Sequence, residues 1–100
     1  MIQCLQCQRS FEHEKPIASI SGSIMGDEVT DSYFLCPMCG VYTVAKWWDD
    51  FTGEETMNLA GPMSREEGEA RIELIGKCSR SWDKKCRCHA HREYFNDTLD

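Results

Sequence analysis

Two pairs of cysteines, each with a two-residue spacer, constrain this chain more than any other feature of its sequence. The first pair is Cys4 and Cys7, and the second is Cys36 and Cys39. A two-residue spacer lets the backbone turn back, so that both sulfurs point at one tetrahedral metal ion while backbone N–H groups hydrogen-bond them. Two such pairs make a closed four-sulfur site. The sequence therefore predicts a metal-binding turn at each pair and one ion between them.

The residues around the second pair strengthen this prediction. Gly40 supplies the backbone freedom of a tight turn, and Pro37 stiffens its entry. The arrangement resembles the zinc-ribbon and rubredoxin-like families, in which two cysteine turns on β-hairpins clamp one metal ion. This resemblance covers residues 4–46, and it implies zinc, with iron as the alternative that rubredoxin suggests. The first pair departs from the families' pattern, because Gln8 follows Cys7 where they commonly carry glycine.

Chain length and cysteine count favour a domain held together by metal. A chain of 100 residues forms one domain with a modest core, so an internal cross-link is expected. The alternative is buried structural thiols or disulfides. The odd count of seven cysteines and the lack of an apolar leader before Cys4 argue against a secreted disulfide framework. We expect a reducing, cytoplasmic location, and no apolar stretch approaches the roughly 20 residues of a membrane span.

The charge of the chain is negative and unevenly distributed. The net charge is −6, and a four-thiolate site would add to it, which disfavours nonspecific binding to nucleic acid or anionic membrane. Residues 1–76 contain 5 basic and 13 acidic side chains, whereas residues 77–100 contain 6 and 4. The sign changes where a second group of cysteines begins.

Composition predicts β-structure in the first half of the chain. Residues 32–35 lead into the second cysteine pair and residues 41–48 lead out of it, and both stretches are rich in β-branched or aromatic side chains. We expect them to pair as a metal-tipped hairpin. One or two short strands are expected over residues 17–29, with a turn near Gly26 and Asp27. The Gly61-Pro62 dipeptide is expected to end the β region.

A helix is predicted from about Arg65 to Lys77. Ser64 and Glu67 have the spacing of a capping box, with Ser64 as the N-cap. Leu74 and Cys78 are four residues apart and lie on the same side of this helix, which would carry Cys78 towards the core.

A second group of metal-binding side chains follows the helix. Three thiols and an imidazole suit zinc, and we predict a site built from Cys78, Cys86, Cys88 and His91. Cys88 and His91 repeat the two-residue spacing with histidine in the last place. His89 is a rival fourth ligand. The alternative is that the thiols of Cys86 and Cys88 are free at the surface and both histidines are solvated.

These elements predict a single α+β domain over residues 1–100. Residues 1–60 would form zinc-ribbon β-hairpins, and residues 61–100 one helix and the second metal-binding segment. Two zinc ions are expected, with iron possible at the first site. His13, between two glutamates, is expected to be a surface residue.

The function favoured by the sequence is that of a small zinc protein whose metal sites are structural. Closed sites leave no coordination position for water, and the chain carries no glycine-rich phosphate loop, so we do not expect an enzyme. Such a protein would act as an accessory or regulatory module that binds another protein. The aromatic and acidic residues from Trp47 to Glu55 are the first candidate contact. The alternative is an acidic turn whose aromatic side chains cover the small core.

Two alternatives have different partners. The basic segment of residues 77–92 contains Trp82 and is followed by Tyr94 and Phe95, a mixture that can bind phosphates and stack bases. The structural explanation is that these basic side chains offset the negative charge of a three-thiolate site. The second alternative is a rubredoxin-like electron carrier with iron at the first site. The sequence leaves the partner and the oligomeric state open.

Overall fold

The computed structural model describes residues 2–11 and 14–99. Within these residues a four-stranded antiparallel sheet in the order β1-β2-β3-β4 is followed by two helices, so the predicted α+β class is confirmed. The elements are β1 (Ala18–Ile24), β2 (Asp27–Leu35), β3 (Tyr42–Asp49), β4 (Glu55–Met63), α1 (Arg65–Gly76) and α2 (His89–Tyr94).

The strands before and after the second cysteine pair form the predicted hairpin. β2 pairs with β3 from Leu35 opposite Tyr42 to Glu28 opposite Asp49. β1 and β2 are joined by the two residues Met25 and Gly26, whose φ angles are 52° and 87°. Two positive φ angles give the twist that a two-residue hairpin loop needs, and the turn lies within one residue of its predicted position.

The expectation that Gly61-Pro62 ends the β region is wrong. β4 runs through this dipeptide to Met63 and pairs with β3 along its length. The register shifts between Tyr42 and Val44, next to the proline. Proline is tolerated on an edge strand and at a bulge, because no ladder hydrogen bond is required of it there.

The predicted helix is confirmed as α1, and its N-cap is Ser64, whose Oγ accepts a hydrogen bond from the Glu67 N–H at 3.1 Å. The expectation of a single helix is wrong, because α2 follows it. α2 is only six residues long, and such a segment has no helical stability of its own in water. No helix in the described residues is long and apolar enough to cross a membrane.

The sheet separates two apolar clusters. Successive residues of a strand point to opposite faces, so Tyr33 packs on one face and Phe34 on the other. The helix-side cluster is built from Ile20, Tyr33, Tyr42, Val44, Ile75 and Tyr94. The cluster on the opposite face is built from Cys4, Phe11, Phe34, Cys36 and Ala45.

The two helices are fixed on the sheet by close contacts. A Cβ at Gly68 in α1 would overlap the Tyr42 ring, so only glycine allows the helix to lie this close to β3. The Tyr94 hydroxyl of α2 donates to Asp31 Oδ2 at 2.7 Å and lies 2.6 Å from the Tyr33 hydroxyl. All three of these polar side chains are buried, and each has a partner, as a buried polar group requires.

Candidate metal centres

The four cysteines of the two pairs come together into one cluster. Their sulfurs all lie within 4.8 Å of one another, and the Sγ atoms of Cys7 and Cys36 are 3.7 Å apart. A tetrahedral ion with metal–sulfur bonds of about 2.3 Å would hold its sulfurs about 3.8 Å apart. The distances therefore fit one tetrahedral metal ion. The cluster consists of Cys4, Cys7, Cys36 and Cys39.

The two cysteine turns have the same backbone structure. The Gln8 N–H donates to the Cys4 carbonyl at 2.8 Å, and the Gly40 N–H donates to the Cys36 carbonyl at 2.8 Å. Cys4 and Cys36 also donate their own N–H groups to the carbonyl of the residue five positions later, at 2.8 Å and 3.0 Å respectively. The φ angles of Gln8 and Gly40 are 68° and 69°. Gln8 therefore adopts the left-handed conformation that glycine adopts more easily.

Backbone N–H groups stabilise charge on the first cluster. Gln6 and Cys7 direct their N–H groups at the Cys4 sulfur, at 3.4 and 3.5 Å. Burial opposes ionisation of Cys4, but these hydrogen bonds outweigh it and lower the pKa of the thiol to about 7. The hydrogen bond with Cys7 instead raises the pKa of the Cys39 thiol to about 12. Four adjacent sulfurs cannot all be charged without a cation, and a divalent metal ion would remove this conflict.

The first cluster is part of the apolar core on its face of the sheet. Cys4 and Cys36 are 1% and 0% exposed, and they pack in the same cluster as Phe11 and Phe34. The Leu5 N–H donates to Thr43 Oγ1 in β3 at 3.2 Å, which ties the first turn to the sheet. Cys7 is exposed, so the site lies between core and surface.

The second cluster also has the geometry of a four-ligand site. The Sγ atoms of Cys78 and Cys86 are 3.6 Å apart, and Nδ1 of His91 lies 3.3 Å from the Cys78 sulfur. All four ligand atoms lie within 4.8 Å of one another. Three thiolates with one imidazole are a common ligand set for zinc. The cluster consists of Cys78, Cys86, Cys88 and His91.

Three separate segments supply these ligands. Cys78 follows the end of α1 and is buried, as predicted from its position after the helix. Cys86 lies in the loop between the helices. Cys88 is the N-cap of α2, and its sulfur accepts a hydrogen bond from the His91 N–H at 3.4 Å. This bond lowers the pKa of the Cys88 thiol, because it favours the charged form.

His91 joins the second cluster to the edge of the sheet. Its side chain is fully buried, and Nε2 lies 2.5 Å from the carbonyl oxygen of Ser21 in β1. Because a carbonyl only accepts, Nε2 donates its proton to Ser21, which leaves Nδ1 to face the centre of the cluster as a metal ligand would. The Ser21 N–H in turn donates to the Ser81 carbonyl at 2.8 Å. His89 points away, because its side chain is 88% exposed and lies 3.5 Å from Glu93.

The structure thus brings together all eight residues that the sequence singles out, in the two predicted groups, and it leaves His89 outside. His13 lies outside the described residues. The contacts of Ser21 and Ser81 were not foreseen, because they are made by backbone atoms and carry no signal in the sequence. The chain matches no known protein family, no curated protein and no solved structure.

Proposed function

We propose that this is a small cytoplasmic protein with two structural zinc ions, and that it acts by binding another protein. The two four-ligand groups of thiols and imidazole support this proposal, because zinc prefers these ligands in tetrahedral geometry. Four protein ligands leave no position for a reactive water, so we propose no enzymatic role. Free thiols persist in a reducing compartment such as the cytoplasm, which is why we propose this location.

The surface that best suits a protein partner lies where the two hairpin loops meet. Met25 in the β1–β2 loop is 86% exposed, and Phe51 in the β3–β4 loop is 82% exposed. Asp27 holds the loops together, because its carboxylate accepts hydrogen bonds from the Trp48 indole N–H at 2.8 Å and from the Phe51 N–H at 3.3 Å. We call Met25, Asp27, Trp48 and Phe51 the hairpin-tip surface. Large exposed apolar side chains held in place are typical of binding sites.

The charge around the hairpin-tip surface indicates a basic partner. Burial raises the pKa of Asp49, and the nearby carboxylates of Glu55, Glu28 and Asp50 raise it further. These three carboxylates beside Asp49 place negative charge at this end of the sheet. A partner with an apolar side chain flanked by lysine or arginine would complement this surface.

Titration with a short peptide of alternating arginine and leucine tests this surface. NMR would follow the indole N–H signals, and we expect the Trp48 signal to shift while that of the remote Trp82 does not. Phe51→Ser should weaken binding at least tenfold. Met38→Ser is the matched control, because Met38 is 80% exposed but lies in a cysteine turn. Equal weakening by both substitutions, or none by either, would refute the assignment.

The metal at the first site is tested by absorption spectroscopy of protein purified without added metal. Zinc tetrathiolate is colourless in the visible range, whereas ferric tetrathiolate is red. We expect a colourless protein. A red protein would instead support the rubredoxin-like electron carrier.

Nucleic-acid binding is the second candidate, and one contact favours it. Trp82 is 71% exposed with the Arg80 guanidinium 5.6 Å from its ring centre, a pair that could stack on a base. However, Arg80 also pairs with Asp83 at 3.0 Å, and Lys84 pairs with Glu28 at 3.5 Å. These carboxylates engage two cations of the basic segment, which leaves less positive charge available for phosphates. A binding constant for single-stranded RNA that falls steeply with salt would favour nucleic acid.

A further inference from the structure

The two edge strands of the sheet, β1 and β4, differ in the hydrogen bonds that their outer backbone groups make. At the β1 edge, Ser21 donates its N–H to the Ser81 carbonyl, and its own carbonyl accepts from His91. At the β4 edge, no residue in the described part of the chain makes a backbone hydrogen bond to the outer side of the strand. Unpaired edge strands readily pair with another strand, so β4 is the edge available for pairing.

The groups that β4 presents outward follow from the alternation of antiparallel pairing. Asp50 donates its N–H to the Glu54 carbonyl at 3.0 Å, which places Glu54 among the residues that face β3. Since successive residues alternate in the direction of their N–H and C=O groups, Glu55, Met57 and Leu59 direct theirs away from the sheet. The outward N–H and C=O groups of these three residues can therefore hydrogen-bond to a further antiparallel strand.

The centre of β4 lacks the usual protection of an edge strand. Natural edges carry charges, proline or bulges that hinder pairing, but residues 56–60 are Thr-Met-Asn-Leu-Ala. The acidic side chain of Glu55 and the Gly61-Pro62 dipeptide lie only at its ends. Met57 is 52% exposed although it lies in the middle of the strand.

We propose that β4 pairs in antiparallel fashion with β4 of a second copy of this chain. A two-fold axis at Asn58 places Met57 of each copy opposite Leu59 of the other, and each such pair exchanges two backbone hydrogen bonds. Met57 and Leu59 are opposite Trp47 and Ala45 in β3, so all four share one face of the sheet. Pairing of two copies extends this apolar strip across the axis.

Charge favours a second copy over a basic partner strand at this edge. The uncharged centre of β4 offers no carboxylate to pair with a lysine, and in self-pairing it places no like charges opposite each other. The antiparallel arrangement separates the acidic β3–β4 loops of the two copies. It directs Glu55 of one copy towards the end of β4 in the other, near Arg65, whose side chain is 65% exposed.

Sedimentation equilibrium of the metal-loaded protein over a range of concentrations tests the proposal. The mass should rise from 11.5 kDa towards twice that value. Higher salt should strengthen association, because it screens repulsion between two copies that each carry a net charge of −6. A protein that stays monomeric up to millimolar concentration would overturn the proposal.

Met57→Pro separates backbone pairing from side-chain contact. It removes an N–H that points outward, and proline is tolerated on an edge strand, so folding and metal content should be retained while association weakens at least tenfold. Met57→Ala is the matched control, which keeps the N–H and should associate more tightly than the proline variant. If the proline variant fails to fold, Met57→Lys replaces it, since lysine on an edge prevents pairing. A folded proline or lysine variant that associates like the original protein would contradict the proposal.

Discussion

The two candidate metal sites are built in different ways. The first uses one backbone turn twice, with the same hydrogen bonds after Cys4 and after Cys36, and each turn brings its own two ligands together. The second collects Cys78, Cys86 and the Cys88–His91 segment from the end of a helix, a loop and the start of another helix. The first site is therefore assembled by local backbone geometry, and the second by packing against the sheet. Four predictions test this difference, in decreasing order of the change in stability that we expect.

Loss of a ligand should affect the two sites unequally. Cys36→Ser removes a ligand that is also a fully buried core residue, so we expect the chain to lose cooperative folding. Zinc bound at a structural site contributes on the order of 10 kcal/mol, which is comparable to the entire stability of a domain. Cys86→Ser should reduce zinc from two ions to one and leave the sheet folded.

Elemental analysis and thermal unfolding followed by circular dichroism measure both effects. The Cys86→Ser variant serves as the control for the Cys36→Ser variant, since each replaces one thiol. Complete unfolding of both variants would show that the sheet depends equally on the two sites.

Displacement of α1 should loosen the second site alone. Gly68→Ala places a Cβ against the buried Tyr42 ring, and we expect a cost of about 1–3 kcal/mol because helix or ring must move. Zinc release to a chelator should accelerate at the site that contains Cys78. Gly76→Ala is the matched control in the same helix, since nothing lies within 4 Å of its added Cβ. Equal rates in the two variants would argue against coupling between α1 and the site.

Replacement of the histidine ligand should separate metal binding from docking on the sheet. His91→Cys keeps a fourth ligand but removes the imidazole N–H that reaches the Ser21 carbonyl. We expect two zinc ions to remain and the free energy of unfolding to fall by about 1–2 kcal/mol, as for a lost buried hydrogen bond. Amide hydrogen exchange in β1 should become faster. Unchanged exchange there would show that His91 does not hold the edge of the sheet.

Relief of the strained first turn should give the smallest effect. Gln8→Gly places glycine at a φ of 68° and should raise the free energy of unfolding by up to about 1 kcal/mol. Gly40→Gln makes the reverse change in the equivalent turn and should lower it by about 1 kcal/mol. Chemical denaturation of the zinc-loaded proteins measures both. Effects of the same sign would contradict the equivalence of the two turns.

Several features could be read from the sequence because they depend on neighbouring residues. Such features are the ligand pairs of the first site, the hairpin around Cys36 and Cys39, and the Ser64 cap of α1. Their spacing and residue types already favour the geometry found. Cys78 is buried, as its sequence position indicated, but it follows the end of α1, whose own buried residues are Gly68 and Ile75 rather than Leu74.

Other features depend on contacts between distant residues. β4 continues through Pro62 because β3 lies beside it, whereas its own residues have little preference for a strand. α2 is six residues long and begins at a cysteine ligand, so its stability comes from the site and from contacts of Tyr94 with the sheet.

The seven thiols can be recognised from the sequence as metal-binding side chains, and the first four can be assigned to two pairs, since thiols at these spacings have one dominant chemistry. Only the tertiary structure decided between His89 and His91, because that choice depends on a carbonyl in β1 that is 70 residues away along the chain. It also decided which sheet edge is covered by other described residues, at β1, and which is not, at β4. Backbone groups are the same in every residue, and their partners are determined only when the chain has folded.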